Sequence, residues 1–195
     1  MVFLRSVSSN GPEPVVHGEH VLLRVPVMAD FMLWADLRGA SMSVLKPREP
    51  QWADDELTKS AFRRRLNHYQ KEMRDGRGYA FLIFRKTDNA LLGGLSLGNV
   101  TRGVTQSASL GYWMGAPFSG QGLMTESVRA IVPFVFDVLN LHRLEAACLQ
   151  DNTASMRVLE RSGFRREGLA RRYLKINNIW QDHIVYALLE DDPVY

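Results

Sequence analysis

The segment Leu110–Glu126 constrains the fold of this chain most, because it joins a strand-like run to a helix-like run through a glycine loop. Gly120 and Gly122 allow the backbone to curl and to approach a ligand closely. A helix that starts after them presents unpaired N–H groups and the positive end of its dipole, which together favour a pyrophosphate. The segment therefore predicts either a phosphate-binding loop or a plain turn between a strand and a helix.

Two common phosphate-binding motifs do not fit this loop. A P-loop needs a lysine directly after its last glycine, and Leu123 stands there. The dinucleotide-binding fingerprint needs a third glycine, and that position is Thr125. Another class of phosphate-bearing ligand is therefore expected.

Two motifs, in the correct order and spacing, resemble the GNAT superfamily of N-acetyltransferases. The window Ser119–Met124 is similar to its coenzyme A signature, Gln/Arg-x-x-Gly-x-Gly/Ala, with Gly122 as the central glycine but Ser and Met at the ends. The run Asn152–Phe164 is similar to its segment Asn-x-x-Ser-x-x-x-Leu-x-x-x-Gly-Phe. The resemblance implies an acetyltransferase that uses acetyl-CoA as cosubstrate and needs no metal.

Hydrophobic periodicity predicts the order β-α-α-β-β-β-α-β-α-β-β, which indicates an α/β fold with a mixed sheet and helices on both faces. The predicted strands are 20–25, 79–85, 91–97, 106–114, 142–149, 164–176 and 179–188. The predicted helices are 29–38, 54–75, 123–139 with a kink at Pro133, and 153–161. The resemblance implies a mostly antiparallel, twisted sheet of about six or seven strands with a splayed central pair. We predict a flexible tail over residues 1–16 and a single domain over 17–195.

Three shorter stretches resemble the bacterial ribosomal-protein-alanine N-acetyltransferases within that superfamily. They are Lys46–Pro50, Gly98–Gly103 and Trp180–His183. This likeness implies that the acceptor is the N-terminal alanine of a ribosomal protein. An acetyltransferase for a small amine, such as an antibiotic, a polyamine or an amino acid, stays open as the alternative.

The resemblance also implies which residues bind coenzyme A. Its pantetheine arm would lie between the splayed strands, where backbone groups near Tyr112 and Met114 would bind it and polarise the thioester carbonyl. The full set of residues expected to bind the cofactor is Tyr112, Met114, Gly120, Gln121, Gly122, Leu123, Met124, Thr125, Asn152, Ser155 and Arg161.

Three residues are candidates for catalysis. Ser155 matches the family position whose hydroxyl lies near the sulfur and could protonate it, although a serine there could also cap a helix. Asn152 could bind pantetheine or cap the same helix. Many relatives have a tyrosine acid near Met156–Leu159, where this chain has none. Glu49 is our candidate for orienting the acceptor amine.

The general base has no clear candidate, because the strand Ser107–Tyr112 carries no carboxylate. An α-amine, with a pKa of about 7.7–8.0, is roughly a tenth neutral at pH 7, whereas a lysine amine at about 10.4 is below about 0.1% neutral. The missing base therefore fits an N-terminal acceptor better than a lysine.

Other functions have weaker support. Gly94–Gly98 matches the Gly-x-Ser-x-Gly elbow of serine hydrolases, but no helix-like run follows it. The histidines and Cys148 lack zinc-ligand spacing, and His183 is expected to form a structural hydrogen bond or to line the acceptor pocket. A non-catalytic module that binds acyl-CoA or ribosomal RNA has only the cluster Arg63–Arg65 in its favour.

Composition agrees with a cytoplasmic protein that has no membrane segment. No run of about 18 apolar residues occurs. The lone Cys148 excludes an internal disulfide. Of 24 Lys and Arg, 19 are Arg. This excess suits a phosphate-bearing ligand or a ribosomal partner, and a general preference for arginine in the genome would explain it equally well. A monomer and a homodimer are both compatible with the sequence.

Overall fold

The computed structural model of the chain describes residues 13–193. The strands are β1 (Val15–His17), β2 (Val21–Arg24), β3 (Tyr79–Arg85), β4 (Leu91–Thr101), β5 (Ser107–Met114), β6 (Arg143–Leu149), β7 (Arg165–Ile176) and β8 (Ile179–Leu189). The helices are α1 (Phe31–Ala40), α2 (Met42–Leu45), α3 (Lys59–Arg74), α4 (Leu123–Pro133) and α5 (Thr153–Arg161).

The eight strands form one sheet in the order β1-β2-β3-β4-β5-β6-β8-β7. Every neighbouring pair is antiparallel except β5 and β6, which run parallel. This confirms the predicted α/β fold, with one strand more than expected. The additional strand is β1, in which Val16 is buried, so it begins two residues before the predicted domain boundary. Residues 1–12, most of the predicted tail, lie outside the described part of the chain.

Strand β3 is buried on both faces of the sheet. Phe81 and Ile83 belong to the core under α4 and α5, whereas Leu82 and Phe84 belong to the core under α1 and α3. Successive side chains of a strand point to opposite faces, so each face needs its own apolar set. The two cores explain why residues 79–84 are a continuous apolar run, and they confirm that helices cover both faces.

The first turn of the predicted helix 54–75 is not helical. Helix α3 begins at Lys59 because Thr58 is its N-cap, with the Thr58 Oγ1 accepting the Ala61 N–H at 3.2 Å. A threonine at this position satisfies one of the unpaired donors at a helix start. The acidic run from Asp54 therefore precedes the helix instead of opening it.

Pro133 is the last α-helical residue of α4, and the chain stays helical directly after it. Proline has no N–H to donate and crowds the preceding turn. The chain continues as a π-helical turn over Phe134–Val138, in which the Leu139 N–H donates to the Phe134 carbonyl at 3.0 Å. The predicted helix 123–139 is therefore observed to Val138, with its last turn π-helical and not α-helical.

Candidate functional site

Strands β5 and β6 pair only over their first halves, which opens a gap in the middle of the sheet. Their register runs from Ser107 opposite Arg143 to Leu110 opposite Ala146 and stops there. Beyond that point β5 remains paired with β4, and β6 with β8. The gap is therefore bounded by two strands that are each anchored on their far side.

The backbone groups of Tyr112 and Met114 point into this gap. The N–H of Gly115, which directly follows β5, donates to the carbonyl of Leu92 in β4 at 2.8 Å. Neighbouring residues of a strand direct their N–H and C=O groups to opposite edges. Those of Met114, and of Tyr112 two residues earlier, are therefore directed away from β4, where an extended ligand could bind them.

The glycine loop leads directly into α4. Gly120 and Gly122 have φ angles of 77° and 80°, in the left-handed region. Gly122 is the N-cap of α4, and no side chain caps that helix. The N–H groups of Leu123, Met124 and Thr125, in its first turn, therefore have no intrahelical acceptor. A Cβ atom at either glycine would meet no heavy atom within 4 Å, so the φ angle and not crowding requires glycine.

A cavity of about 830 Å³ connects the glycine loop, the gap and α5. Its charged lining residues, within the described chain, are the four cations Arg48, Arg157, Arg161 and Lys175 and the single acid Glu49. This imbalance favours a polyanionic ligand. All the residues predicted to bind coenzyme A line the same cavity: Tyr112, Met114, Gly120, Gln121, Gly122, Leu123, Met124, Thr125, Asn152, Ser155 and Arg161.

Ser155 lies beside a partly buried tyrosine, Tyr112, and a buried cysteine, Cys148, neither of which ionises near neutral pH. The Tyr112 phenol oxygen is 2.7 Å from the Ser155 Oγ. Burial raises the pKa of the Tyr112 phenol far above its usual value. Burial also raises the pKa of the Cys148 thiol to about 11. A protonated phenol can donate to the Ser155 Oγ, which leaves the serine proton for another acceptor.

Asn152, not Ser155, is the N-cap of α5. The Asn152 Oδ1 accepts the Ser155 N–H at 3.2 Å, which satisfies a donor of the first turn. The alternative in which the Ser155 hydroxyl caps the helix is therefore wrong. Ser155 lines the large cavity, and its hydroxyl is hydrogen-bonded to the Tyr112 phenol and not to the helix start.

Glu49 lies between the large cavity and a second one of about 440 Å³. Two Arg38 nitrogens donate to its two oxygens at 3.2 and 2.5 Å, and the Trp52 Nε1 donates at 2.7 Å. A carboxylate has about four acceptor positions, so three donors leave room for one more. Tyr112 and Trp113 also line both cavities, so the two meet at β5.

The hydrolase motif has no elbow in the structure. Gly94–Gly98 lies inside β4, which continues to Thr101, whereas an elbow needs a sharp turn from a strand into a helix. The serine hydrolase interpretation is therefore wrong.

His183 is buried, and its Nδ1 donates to the Gln181 carbonyl at 2.9 Å while the residue lines the large cavity. The expected structural hydrogen bond is therefore present, and the cavity that His183 lines is the large one and not the smaller one. Between residues 13 and 193, no three His, Cys, Asp or Glu side chains are grouped so that they could hold a metal ion. Over the same residues, none of the helices is both long enough and apolar enough to span a membrane.

Sequence reasoning missed the side chains of Tyr112 and Arg38. It assigned Tyr112 a backbone role only, because the family's tyrosine acid was expected on α5. Arg38 is 5% exposed, with its guanidinium 4.5 Å from the Trp52 ring centre and 5.0 Å from that of Trp113. The sequence offers little signal for this pair, because α1 also contains the charged Asp36 and the partner Glu49 lies outside the helix.

Comparison with known proteins places this geometry among acetyltransferases. The family described as "Acetyltransferase (GNAT) domain" matches residues 20–165. The "Probable N-acetyltransferase YjcK" of Bacillus subtilis is 44% identical over 72% of this chain and 77% of its own. The "[Ribosomal protein uS5]-alanine N-acetyltransferase" of Escherichia coli is 29% identical over 94% of this chain and 95% of its own. Mycobacterium smegmatis RimJ, solved in complex with CoA-disulfide, superposes with a TM-score of 0.84 at 34% identity, over 93% of this chain and 87% of that one.

Proposed function

Because this chain belongs to the GNAT family and is an acetyl-CoA-dependent N-acetyltransferase, we propose that its acceptor is the N-terminal alanine α-amine of a ribosomal protein. The observation that carries the proposal is the similarity to the alanine-acetylating enzyme of Escherichia coli over nearly the whole length of both chains. Such an acceptor would place the enzyme in the cytoplasm.

The positively charged lining of the large cavity suits acetyl-CoA. The first-turn N–H groups of α4 would hold the pyrophosphate, and Arg157 and Arg161 are close enough to the same cavity to meet the remaining phosphate charge. The backbone groups of Tyr112 and Met114 would bind the pantetheine and polarise the thioester carbonyl. Bound acetyl-CoA supplies the activated acetyl group, and the residues of the chain hold that group in place for the acceptor.

The smaller cavity would receive the acceptor. Glu49 reaches both cavities, and its remaining acceptor position can take an N–H of the incoming amine. Arg38 and Trp52 fix the orientation of this carboxylate. We assign Glu49 the task of aiming the amine lone pair at the carbonyl carbon. Positioning of this kind is a main source of rate in a transfer between two substrates.

Ser155 would stabilise the departing sulfur by donating a hydrogen bond to it while keeping its own proton. The amine nitrogen loses one proton to solvent as the C–S bond breaks, and the CoA thiolate takes one up from solvent. The position of Ser155 at the cavity wall supports this role, and the phenol of Tyr112 would hold the hydroxyl in the productive orientation. Since the Tyr112 pKa is raised, the phenol stays protonated throughout the pH range in which the α-amine titrates.

Tyr112→Phe is expected to lower kcat about two- to tenfold, because it removes one hydrogen bond to the Ser155 Oγ and no proton donor. Thiol release at saturating acetyl-CoA measures the rate, and the Kd for acetyl-CoA should stay nearly constant. A loss larger than that caused by Ser155→Ala would transfer the acid role to Tyr112.

The acceptor is tested with a matched pair of peptides. One begins with a free alanine and contains an internal lysine, and the other has the same sequence with its α-amine blocked. We expect the first to be acetylated on its α-amine only and the second to be inert. The rate should rise with pH with an apparent pKa near that of the α-amine, about 7.7–8.0, and level off only above it, because the neutral amine is the nucleophile.

A panel of polyamines and aminoglycosides completes the test. Turnover confined to these small amines would contradict the ribosomal acceptor while leaving the acetyltransferase activity intact. Modification of the internal lysine in the blocked peptide would contradict the selectivity for an α-amine.

A further inference from the structure

Residues 171–175, here called the outer half of β7, form an exposed and positively charged edge of the sheet. Strand β7 is the last in the sheet and pairs only with β8. Arg171, Arg172 and Lys175 are all exposed and, among the described residues, take part in no salt bridge. The nearby Asp182 uses a carboxylate oxygen to accept the Arg172 backbone N–H at 2.8 Å. This edge therefore offers three cations to an anionic partner.

A bulge turns these residues outward. Pairing stops at Ala170 opposite His183 and resumes at Leu174 opposite Gln181. The residues 171–173 are thus opposed by a single residue of β8, and Arg172 adopts a φ of 48°. Bulges of this kind redirect side chains at sheet edges. Three consecutive side chains are therefore taken out of the regular ladder.

Two aromatic rings stand beside these cations. Tyr173 is 46% exposed and Trp180, which pairs with Lys175, is 58% exposed. Exposed aromatic rings alternating with cations are the combination that binds single-stranded nucleic acid, because unpaired bases stack on the rings while the phosphates meet the cations. A surface that bound anions by charge alone would not need the exposed rings.

The hairpin is fixed against the rest of the domain. The Asn177 Nδ2 donates to the Lys46 carbonyl at 2.8 Å, and Asn178 binds the side chain of Gln51. Leu174 and Lys175 also line the large cavity. A ligand on the outer half of β7 would therefore lie next to the mouth of the proposed active site.

The cluster Arg63–Arg65 is a weaker candidate for the same role. Arg64 binds Asp55 at 2.5 Å, and Arg65 is paired with Glu56. Two of its three charges are therefore engaged within the domain.

We propose that the surface formed by Arg171, Arg172, Tyr173, Lys175 and Trp180 binds single-stranded RNA. The choice of RNA over DNA rests on the proposed ribosomal acceptor. The binding itself does not, because it can be measured without acetyl transfer. Bound RNA would hold the enzyme beside its acceptor while that protein is still on ribosomal RNA.

Fluorescence anisotropy with a labelled single-stranded RNA of about 12 nucleotides, and the full chain, tests the proposal. At about 0.1 M salt we expect Arg171→Gln/Arg172→Gln to weaken binding at least about fivefold and to lower the magnitude of the salt slope by about 1.4, because two phosphate contacts are lost. Trp180→Ala should weaken binding by about five- to a hundredfold and leave the slope unchanged, because it removes stacking and not charge.

The matched control is Arg63→Gln/Arg74→Gln, which removes two exposed cations of α3. An equal loss of affinity in this control would overturn the proposal, as would RNA binding that neither hairpin variant weakens. Equal affinity for a duplex RNA of the same length, or tighter binding to phosphatidylserine vesicles, would also overturn it. If the double variant fails to fold, Trp180→Ala decides the outcome.

Discussion

Ser155→Ala is expected to slow acetyl transfer by roughly ten- to a thousandfold, the usual share of one positioned proton donor. The structure separates this effect from helix stability, because Asn152 and not Ser155 supplies the side-chain cap of α5. The variant should therefore fold normally and bind acetyl-CoA with nearly unchanged affinity. Single-turnover rates with an alanine peptide measure the chemical step.

Thr153→Ala is the matched control for Ser155→Ala. It deletes a hydroxyl from the first turn of the same helix, at an exposed position outside the cavity lining. Its rate should equal that of the unmodified enzyme. A normal rate per folded molecule in Ser155→Ala would remove this residue from the mechanism.

Gly122→Val is expected to weaken acetyl-CoA binding at least about tenfold, equivalent to about 1.4 kcal/mol. A β-branched residue strongly disfavours the φ of 80° found here, so the loop would change shape where the phosphates must approach the N–H groups of α4. Isothermal titration with acetyl-CoA and with CoA measures the loss.

Gly103→Val controls for backbone strain alone. Gly103 has a φ of 76° and the same open surroundings as Gly122, but it lies in the turn between β4 and β5. It should lose comparable stability and bind acetyl-CoA normally. Equal affinity in Gly122→Val and the unmodified enzyme would show that the loop does not hold the phosphates.

The elements with local signals were predictable from the sequence. Helix α5 was placed at its observed bounds, 153–161, because an N-capping asparagine precedes it and a glycine follows it. The glycine loop and the start of α4 were also predictable from local sequence, because Gly120 and Gly122 directly precede the helix-like run. The sequence predicts the start of α3 at Asp54, before its observed start at Lys59, because an acidic residue suits a helix start. Only the hydrogen bond from the Ala61 N–H identifies Thr58 as the N-cap.

The side-chain partners within the site depend on distant contacts and were not predictable. Tyr112 and Ser155 are 43 positions apart and meet only because α5 packs beside the gap between β5 and β6. Arg38 and Glu49 meet because the chain reverses after α2. Periodicity describes which face of an element is apolar, but it carries no information on which two faces come together.

The most direct test of the central claim is mass spectrometry of protein N-termini in cells with and without this enzyme. We predict that the N-terminal alanine of a ribosomal protein loses its acetyl group when the enzyme is removed and regains it when the enzyme is restored, but not when the Ser155→Ala variant replaces it. Identical ribosomal N-termini in both cells, with altered acetylation of a small amine, would contradict the proposed acceptor.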